Sequence, residues 1–327
     1  MLEIVYAILP IFLIIAAGIL AERGGLLSAS VSMPLSAYVL RLALPALLFR
    51  IMAGAEPSEL FQGALWGSLI GAQVISYGIG YAGDRILKRR GVGPAAVTGM
   101  ACSSSLTSFV GLPIIMNLLP GNREALVIAG LLTVMPILSI VLGQIQLESM
   151  RRREQPEVQG RNLSLCLVLM RAIFTNPLIL SMLAGALLCL TGIGLWTPLD
   201  RAATLLGATA APCALFSIGL SMRNQLRVGF AGNSGPILRH QAGVVSVKLL
   251  IQPLLTWGLL VLFGVDATLI AVCVIMSATG TAVGSYLVAD AYKTVPEECA
   301  MSVVLTCAFS LLSLPAFSYL CKALGMI

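Results

Sequence analysis

The chain has 327 residues, of which 58% are hydrophobic and only 10% charged, with a formal net charge of +6. Soluble domains run at roughly half apolar and a quarter charged, so a water-soluble core of this size is excluded and a lipid bilayer is the expected solvent. The eight cysteines follow no CxxC spacing and read as small hydrophobes in helices, not as a disulfide framework or metal site.

A hydrocarbon core takes about 20 apolar residues per helix. In chain order the sequence predicts spans near Ile4–Ala21, Met33–Ala53, Leu60–Gly83, Ala95–Leu119 and Ala125–Leu147. The first lacks a basic leader and is expected to be a spanning helix, not a cleaved signal. A polar stretch, Glu148–Asn162, carries Arg151-Arg152-Arg153. Ser164–Thr175 is apolar but interrupted by Arg171 and stopped by Asn176-Pro177, a pattern that suits an interfacial helix. A second set of spans lies near Pro177–Gly192, Leu199–Met222, Ala242–Gly264, Thr268–Ala289 and Glu298–Lys322. The expected fold is therefore all-α and polytopic, with ten transmembrane helices. Residues 1–147 hold the first five, 148–162 a cytoplasmic linker and 163–327 the second five.

The two sets are related in sequence. Pro45-Ala46-Leu47-Leu48-Phe49 is echoed 167 positions later by Pro212-Cys213-Ala214-Leu215-Phe216, and the same offset pairs Pro10 with Pro177 and Gly18 with Gly185. Further on the offset drifts to 173, pairing Val110-Gly111 with Val283-Gly284 and Leu132-Thr133 with Leu305-Thr306. Each match is weak alone, but their order along the chain marks an internal repeat of the kind found in secondary transporters. With an odd number of spans per copy, the second copy enters the membrane from the opposite side, which makes the repeat an inverted one.

Lys and Arg set the orientation. Fourteen of them, among them Arg23, Arg85, Arg151 and Arg239, fall in loops after odd-numbered spans, against four (Arg50, Arg123, Arg201 and Lys322) on the other side. Both termini are expected outside and the basic loops in the cytoplasm, in a plasma or inner membrane. The positive charge is thereby a topology signal, and no nucleic-acid partner is expected.

Two spans contain matched interruptions. The fourth reads Ser103-Ser104-Ser105-Leu106-Thr107-Ser108-Phe109-Val110-Gly111-Leu112-Pro113, with five hydroxyl residues in six positions before Gly-x-Pro. The ninth reads Ser277-Ala278-Thr279-Gly280-Thr281-Ala282-Val283-Gly284. Lipid cannot satisfy a broken backbone, so such breaks must face protein or a watery cavity. Gly280-x-x-x-Gly284 also suits a packing face between helices, and serines in spans also bond to the carbonyl one turn back. The matched positions favour a transport site. Half-helices that start at a break offer free N–H groups and a positive dipole end. These suit a small organic anion, with Asn117 as a further member of its shell.

The substrate-binding candidates are therefore Ser103, Ser104, Ser105, Thr107, Ser108, Gly111, Pro113, Asn117, Ser277, Thr279, Gly280, Thr281 and Gly284. Arg41 and Lys248 are two cations inside spans. Both stand close enough to the cytoplasmic face to snorkel, while Arg41 lining the cavity against an anion is the functional alternative. No carboxylate is placed mid-membrane, and His240 reads as a solvated boundary residue.

Ala43-Leu44-Pro45-Ala46-Leu47-Leu48-Phe49, Phe109-Val110-Gly111-Leu112-Pro113-Ile114, Asn176-Pro177-Leu178 and Ala289-x-x-Tyr292 followed by Leu305-Thr306 and Ser310 resemble the auxin efflux carrier family, which includes bacterial malonate-type transporters and plant auxin carriers. The resemblance covers nearly the whole chain. It implies a ten-helix inverted-repeat fold with a scaffold from helices 1, 2, 6 and 7 and a transport domain from helices 3–5 and 8–10. It also implies an elevator-like movement of anions, and homodimers. The chain departs from the family at Leu106, where Asn is frequent, and at Ala278, near where proline is common. A malonate or auxin substrate is therefore not carried across by resemblance.

The readings from other classes are an anion channel and a membrane-embedded enzyme. A channel would show a charged ring or filter-like loop. An enzyme would need a nucleophile with a base, paired acids or metal ligands in the spans. The sequence suggests none of these, and no cofactor or metal is expected.

Overall fold

The computed structural model describes residues 2–56, 62–154, 176–192, 194–229 and 234–327. Helices follow one another in the order α1 (Leu2–Arg23), α2 (Ala29–Ala53), α3 (Gly63–Ala82), α4 (Val92–Ser103), α5 (Thr107–Leu118) and α6 (Arg123–Arg151). The second part of the chain gives α7 (Pro177–Thr191), α8 (Thr197–Met222), α9 (Arg239–Leu262), α10 (Ala267–Ser277), α11 (Val283–Ala291) and α12 (Pro296–Ala323). Among the described residues the only β pairing is one isolated bridge, and five helices are long and apolar enough to cross a membrane: α2, α6, α8, α9 and α12. The helices expose large apolar side chains, such as Leu13, Leu20, Leu187, Leu205, Leu262 and Leu312, a surface that water would not tolerate over so large an area.

Helix runs on from Pro136 to Glu154, into the stretch expected as linker. Glu148–Glu154 contains no Gly or Pro to stop it. The rest of that linker, the expected interfacial segment Ser164–Thr175 and the start of the third predicted span at Leu60 lie outside the described residues.

Prolines shape the helices in a repeated way. Of four five-residue π turns among the described residues, Val39–Ala43, Thr107–Gly111 and Val247–Ile251 each end two residues before a proline (Pro45, Pro113 and Pro253), while Gly83–Leu87 does not. Proline has no N–H for the carbonyl four residues upstream, and its ring presses on that carbonyl. The wider turn takes up the misfit without breaking the helix.

Two helix pairs approach backbone to backbone, α1 against α8 and α7 against α2. A methyl group at Gly18 would run into the carbonyl of Phe216, and one at Gly185 into the carbonyl of Phe49. Glycine is required at both places because the partner is main chain and cannot move aside.

At one end of the molecule a partly buried ionic cluster ties the turn after α3 to α4, α9 and α12. Arg90 donates to both carboxylate oxygens of Glu298, at 2.7 and 2.8 Å, and reaches Asp84 at 3.3 Å. Asp84 also accepts from the Thr98 hydroxyl at 2.7 Å and lies 3.0 Å from His240 Nε2. Burial alone would raise the Asp84 carboxyl, but the hydrogen bonds from His240 and Thr98 and the charges of His240 and Arg90 outweigh it and lower it to about 2. His240 is thus buried and paired, not solvated as its place in the sequence suggested. Helix α9 begins ahead of it and carries it inward against Asp84.

Candidate functional site

The two interrupted segments meet. Helix α4 ends at Ser103, and Ser104 turns the chain into an extended conformation (φ −83°, ψ 120°) before helix resumes at Thr107. Helix α10 ends at Ser277, and α11 starts at Val283. Between these ends Ser105 and Thr281 form an antiparallel bridge. The Leu106 N–H donates to the Gly280 carbonyl at 2.8 Å, and the Ala282 N–H to the Ser104 carbonyl at 3.1 Å. Each break thereby supplies the partners that the other lost, as a low-dielectric interior demands.

Side chains complete this pairing. The hydroxyls of Ser104 and Ser285 lie 2.6 Å apart. The Thr281 hydroxyl donates to the Ala101 carbonyl at 2.8 Å, and its N–H donates to the Thr306 hydroxyl at 2.9 Å. The first break falls at Ser104–Leu106, one turn before the Gly111-Leu112-Pro113 sequence expected to cause it. The π turn at Thr107–Gly111 absorbs the effect of Pro113, so the interruption moves upstream to where the opposite strand can satisfy it.

Beside the bridge lies a cavity of about 30 Å³, room for little more than a water or two. Its polar wall consists of Ser103, Ser105 and Thr107 from the first interruption, Ser277 at the end of α10, Gln73 of α3, and Gln252 and Thr256 of α9. The Gln73 amide donates to the Met135 carbonyl at 2.7 Å and to the Ser139 hydroxyl at 2.6 Å, and Ser103 donates to the same Ser139 at 2.7 Å. The Gln252 amide donates to the Ser103 carbonyl at 2.8 Å. The Thr107 hydroxyl is buried and has no hydrogen-bond partner among the described residues.

Behind this wall lies Lys248, with 0% of its surface exposed. Its ammonium donates to the Ser105 hydroxyl at 2.8 Å, the Gln252 side-chain oxygen at 2.6 Å and the Ser277 carbonyl at 2.8 Å. Snorkelling, the reading its position in the sequence favoured, is overturned: the side chain points to the junction of the two breaks.

The predicted residues divide accordingly. Ser103, Ser105, Thr107 and Ser277 line the cavity. Ser104, Gly280 and Thr281 belong to the pairing itself, and the Thr279 hydroxyl turns back to the Met276 carbonyl at 2.8 Å. Ser108 donates to the Thr133 carbonyl at 3.3 Å, and Pro113 is buried in α5. Gly111 packs against Met276 and Gly284 against Ile140. Asn117 and Arg41 are exposed and take no part in the cavity wall. Sequence reasoning missed Gln73, Lys248, Gln252 and Thr256. The available signal was the four-residue spacing of Lys248, Gln252 and Thr256, which sets polar groups along one face of an otherwise apolar helix.

Comparison with known proteins shows the family. A protein of Rhizobium meliloti (strain 1021) named "Putative malonate transporter" is 25% identical over 335 residues, spanning 99% of this chain and 97% of the relative. Residues 3–318 match the family model described as "Membrane transport protein". The chain is therefore a multi-pass membrane protein of the membrane transport protein family, the family of the auxin efflux carriers.

Proposed function

We propose that the chain is a secondary carrier that moves a small organic anion across the membrane by alternating access, with its site where the two interrupted helices pair. The antiparallel junction of Ser105 and Thr281 carries this reading. Two breaks that lipid could not solvate satisfy each other beside a polar cavity, an arrangement suited to transport and of no use to a purely structural bundle. Membership of a transport family argues in the same direction and against an enzyme.

In this reading α4 with α5, and α10 with α11, are the broken fourth and ninth of ten spans in two inverted repeats. The glycine contacts support it. Gly18 and Gly185 are repeat mates, as are Phe49 and Phe216, and each glycine packs on the carbonyl of the opposite phenylalanine. Two-fold exchange requires such reciprocity: residue i meets j′ where i′ meets j. Helices α1, α2, α7 and α8, joined by these contacts, would form the scaffold, and the remaining helices the moving transport domain of an elevator. Both termini would lie outside an inner or plasma membrane. A homodimer is the proposed assembly, as the family resemblance implies.

The substrate is a mono- or dicarboxylate such as malonate, which the relative's name suggests, or an auxin-like acid. A cavity of about 30 Å³ admits none of these without parting its walls, which favours a carrier over an open channel. The test is uptake of radiolabelled malonate, succinate, butyrate and indole-3-acetate into proteoliposomes containing the purified protein. Saturable uptake accelerated by unlabelled acid inside is expected for at least one acid. Unsaturable conductance would make the protein a channel, and no flux of any of the four would sink the organic-anion reading.

A further inference from the structure

We propose that Lys248 is the fixed counter-charge for the transported anion, exchanging one of its present ligands for a substrate carboxylate that also accepts from Thr107. This rests on the carrier reading above. An ammonium group has three N–H donors, and all three are engaged, by Ser105, Gln252 and Ser277. None of these acceptors is a carboxylate, and among the described residues no acidic side chain lines the cavity. Hydrogen bonding is complete while the charge is not neutralised. A charge buried in a low dielectric without a counter-ion is costly to maintain, so the place is poised for a negatively charged guest.

The geometry points to the position such a guest takes. All three ligands of Lys248 are cavity-lining residues, so they form the single layer between the ammonium and the cavity. Ser277 contributes a backbone carbonyl, and Ser105 is held by the bridge to Thr281. Gln252, whose amide also donates to the Ser103 carbonyl, is the ligand with the longest side chain and the one that gives up its place. A carboxylate oxygen therefore replaces its amide oxygen on Lys248. The second carboxylate oxygen accepts from the buried, unpartnered Thr107 hydroxyl on the same cavity wall. Because Lys248 touches Ser105 of one interruption and Ser277 at the edge of the other, anion binding is felt by both.

The experiment is a thermal-shift titration of the purified full chain in detergent. The probes are malonate, succinate, butyrate and indole-3-acetate, each beside its neutral amide. For the wild type, stabilisation by at least one acid and by none of the amides is expected. Lys248→Met is expected to weaken that acid's binding by at least about tenfold, and Thr107→Val by roughly fivefold, as losses of a charged and a neutral hydrogen bond. Gln252→Leu removes the competitor for the ammonium and is expected to tighten binding severalfold, a change that a merely structural role for Lys248 does not produce. Binding by Lys248→Met within twofold of wild type, or no gain in Gln252→Leu, overturns the proposal. Should Lys248→Met fail to fold, Gln252→Leu decides alone. A wild type unmoved by all four acids defeats the underlying organic-anion reading, and Lys248 with it.

Discussion

Arg41 and Lys248 occupy the same kind of place. Each is a cation within an apolar helix, in a five-residue π turn that ends two residues before a proline. Yet Arg41 is exposed and Lys248 fully buried. What separates them is the inward face of the helix. On α2 that face is Val39, Ala43, Leu44, Leu47, Leu48 and Met52, with Ser32, well before Arg41, its only buried polar residue among the described residues. On α9 it includes Gln241, Lys248, Gln252 and Thr256 among the apolar Val244, Leu249 and Leu260, a buried polar stripe whose last three members are spaced by single turns. A cation stays inside where its own helix and the facing backbone offer oxygens, and otherwise leaves for the surface.

Exchanging the two cations for an uncharged residue tests this difference and gives the largest expected effect. In proteoliposome uptake, Lys248→Met is expected to lose roughly 100-fold in rate, about 3 kcal/mol, the scale of a charged hydrogen bond left unmade. Arg41→Met is expected to stay within about twofold of wild type, since exposed charges contribute little. Equal losses in the two variants would mean that the exposed arginine acts on transport by a route that the packing does not reveal.

Much of this was legible in sequence. The predicted spans fall on helices, and the interruptions fall in the fourth and ninth segments, because apolar runs of membrane length and Ser-Gly-Pro clusters act locally. Hydroxyls at Ser103, Ser105, Thr107 and Ser277 were placed at the breaks for the same reason, and they line the cavity. Lys248 was not, because hydropathy treats any charge near a span end alike, and only the α9 stripe distinguishes it. Nor was the burial of His240, which depends on Asp84 and Glu298, residues distant in sequence. Asn117 was reached from proximity along the chain and Arg41 from its charge inside a span, and helix rotation turns both outward.

The two interruptions offer a second comparison, with a smaller effect. Gly280 faces main chain: a methyl there would come within 2.9 Å of Cys307 Cα and N. Gly284 faces the Ile140 Cδ1 tip at 2.7 Å, and Gly111 the Met276 Cε at 3.2 Å, both ends of flexible side chains. Overpacking against rigid backbone costs about 1–3 kcal/mol, so Gly280→Ala is expected to lower the melting temperature and uptake most. Gly284→Ala and Gly111→Ala are expected to change both little, although a bulky residue such as Leu at either place should abolish uptake. The reverse order would place the critical contact in α11, away from the pairing itself.

Asp84 is the electrostatic opposite of Lys248, a buried anion that already has its cations. Its carboxyl is lowered to about 2, so its stabilising contribution is fully present above its ordinary value near pH 4 and is lost as pH falls through about 2. Thermal unfolding followed from pH 7 downward should therefore show no loss from this group until below about pH 4. Asp84→Asn removes the partner of Arg90 and His240 and is expected to cost about 3 kcal/mol at neutral pH, the lower end for breaking a buried pair. It should also flatten the acid limb of the melting profile. A variant with wild-type stability at pH 7 would show that Glu298 alone holds Arg90, and that the burial of His240 owes nothing to the carboxylate beside it.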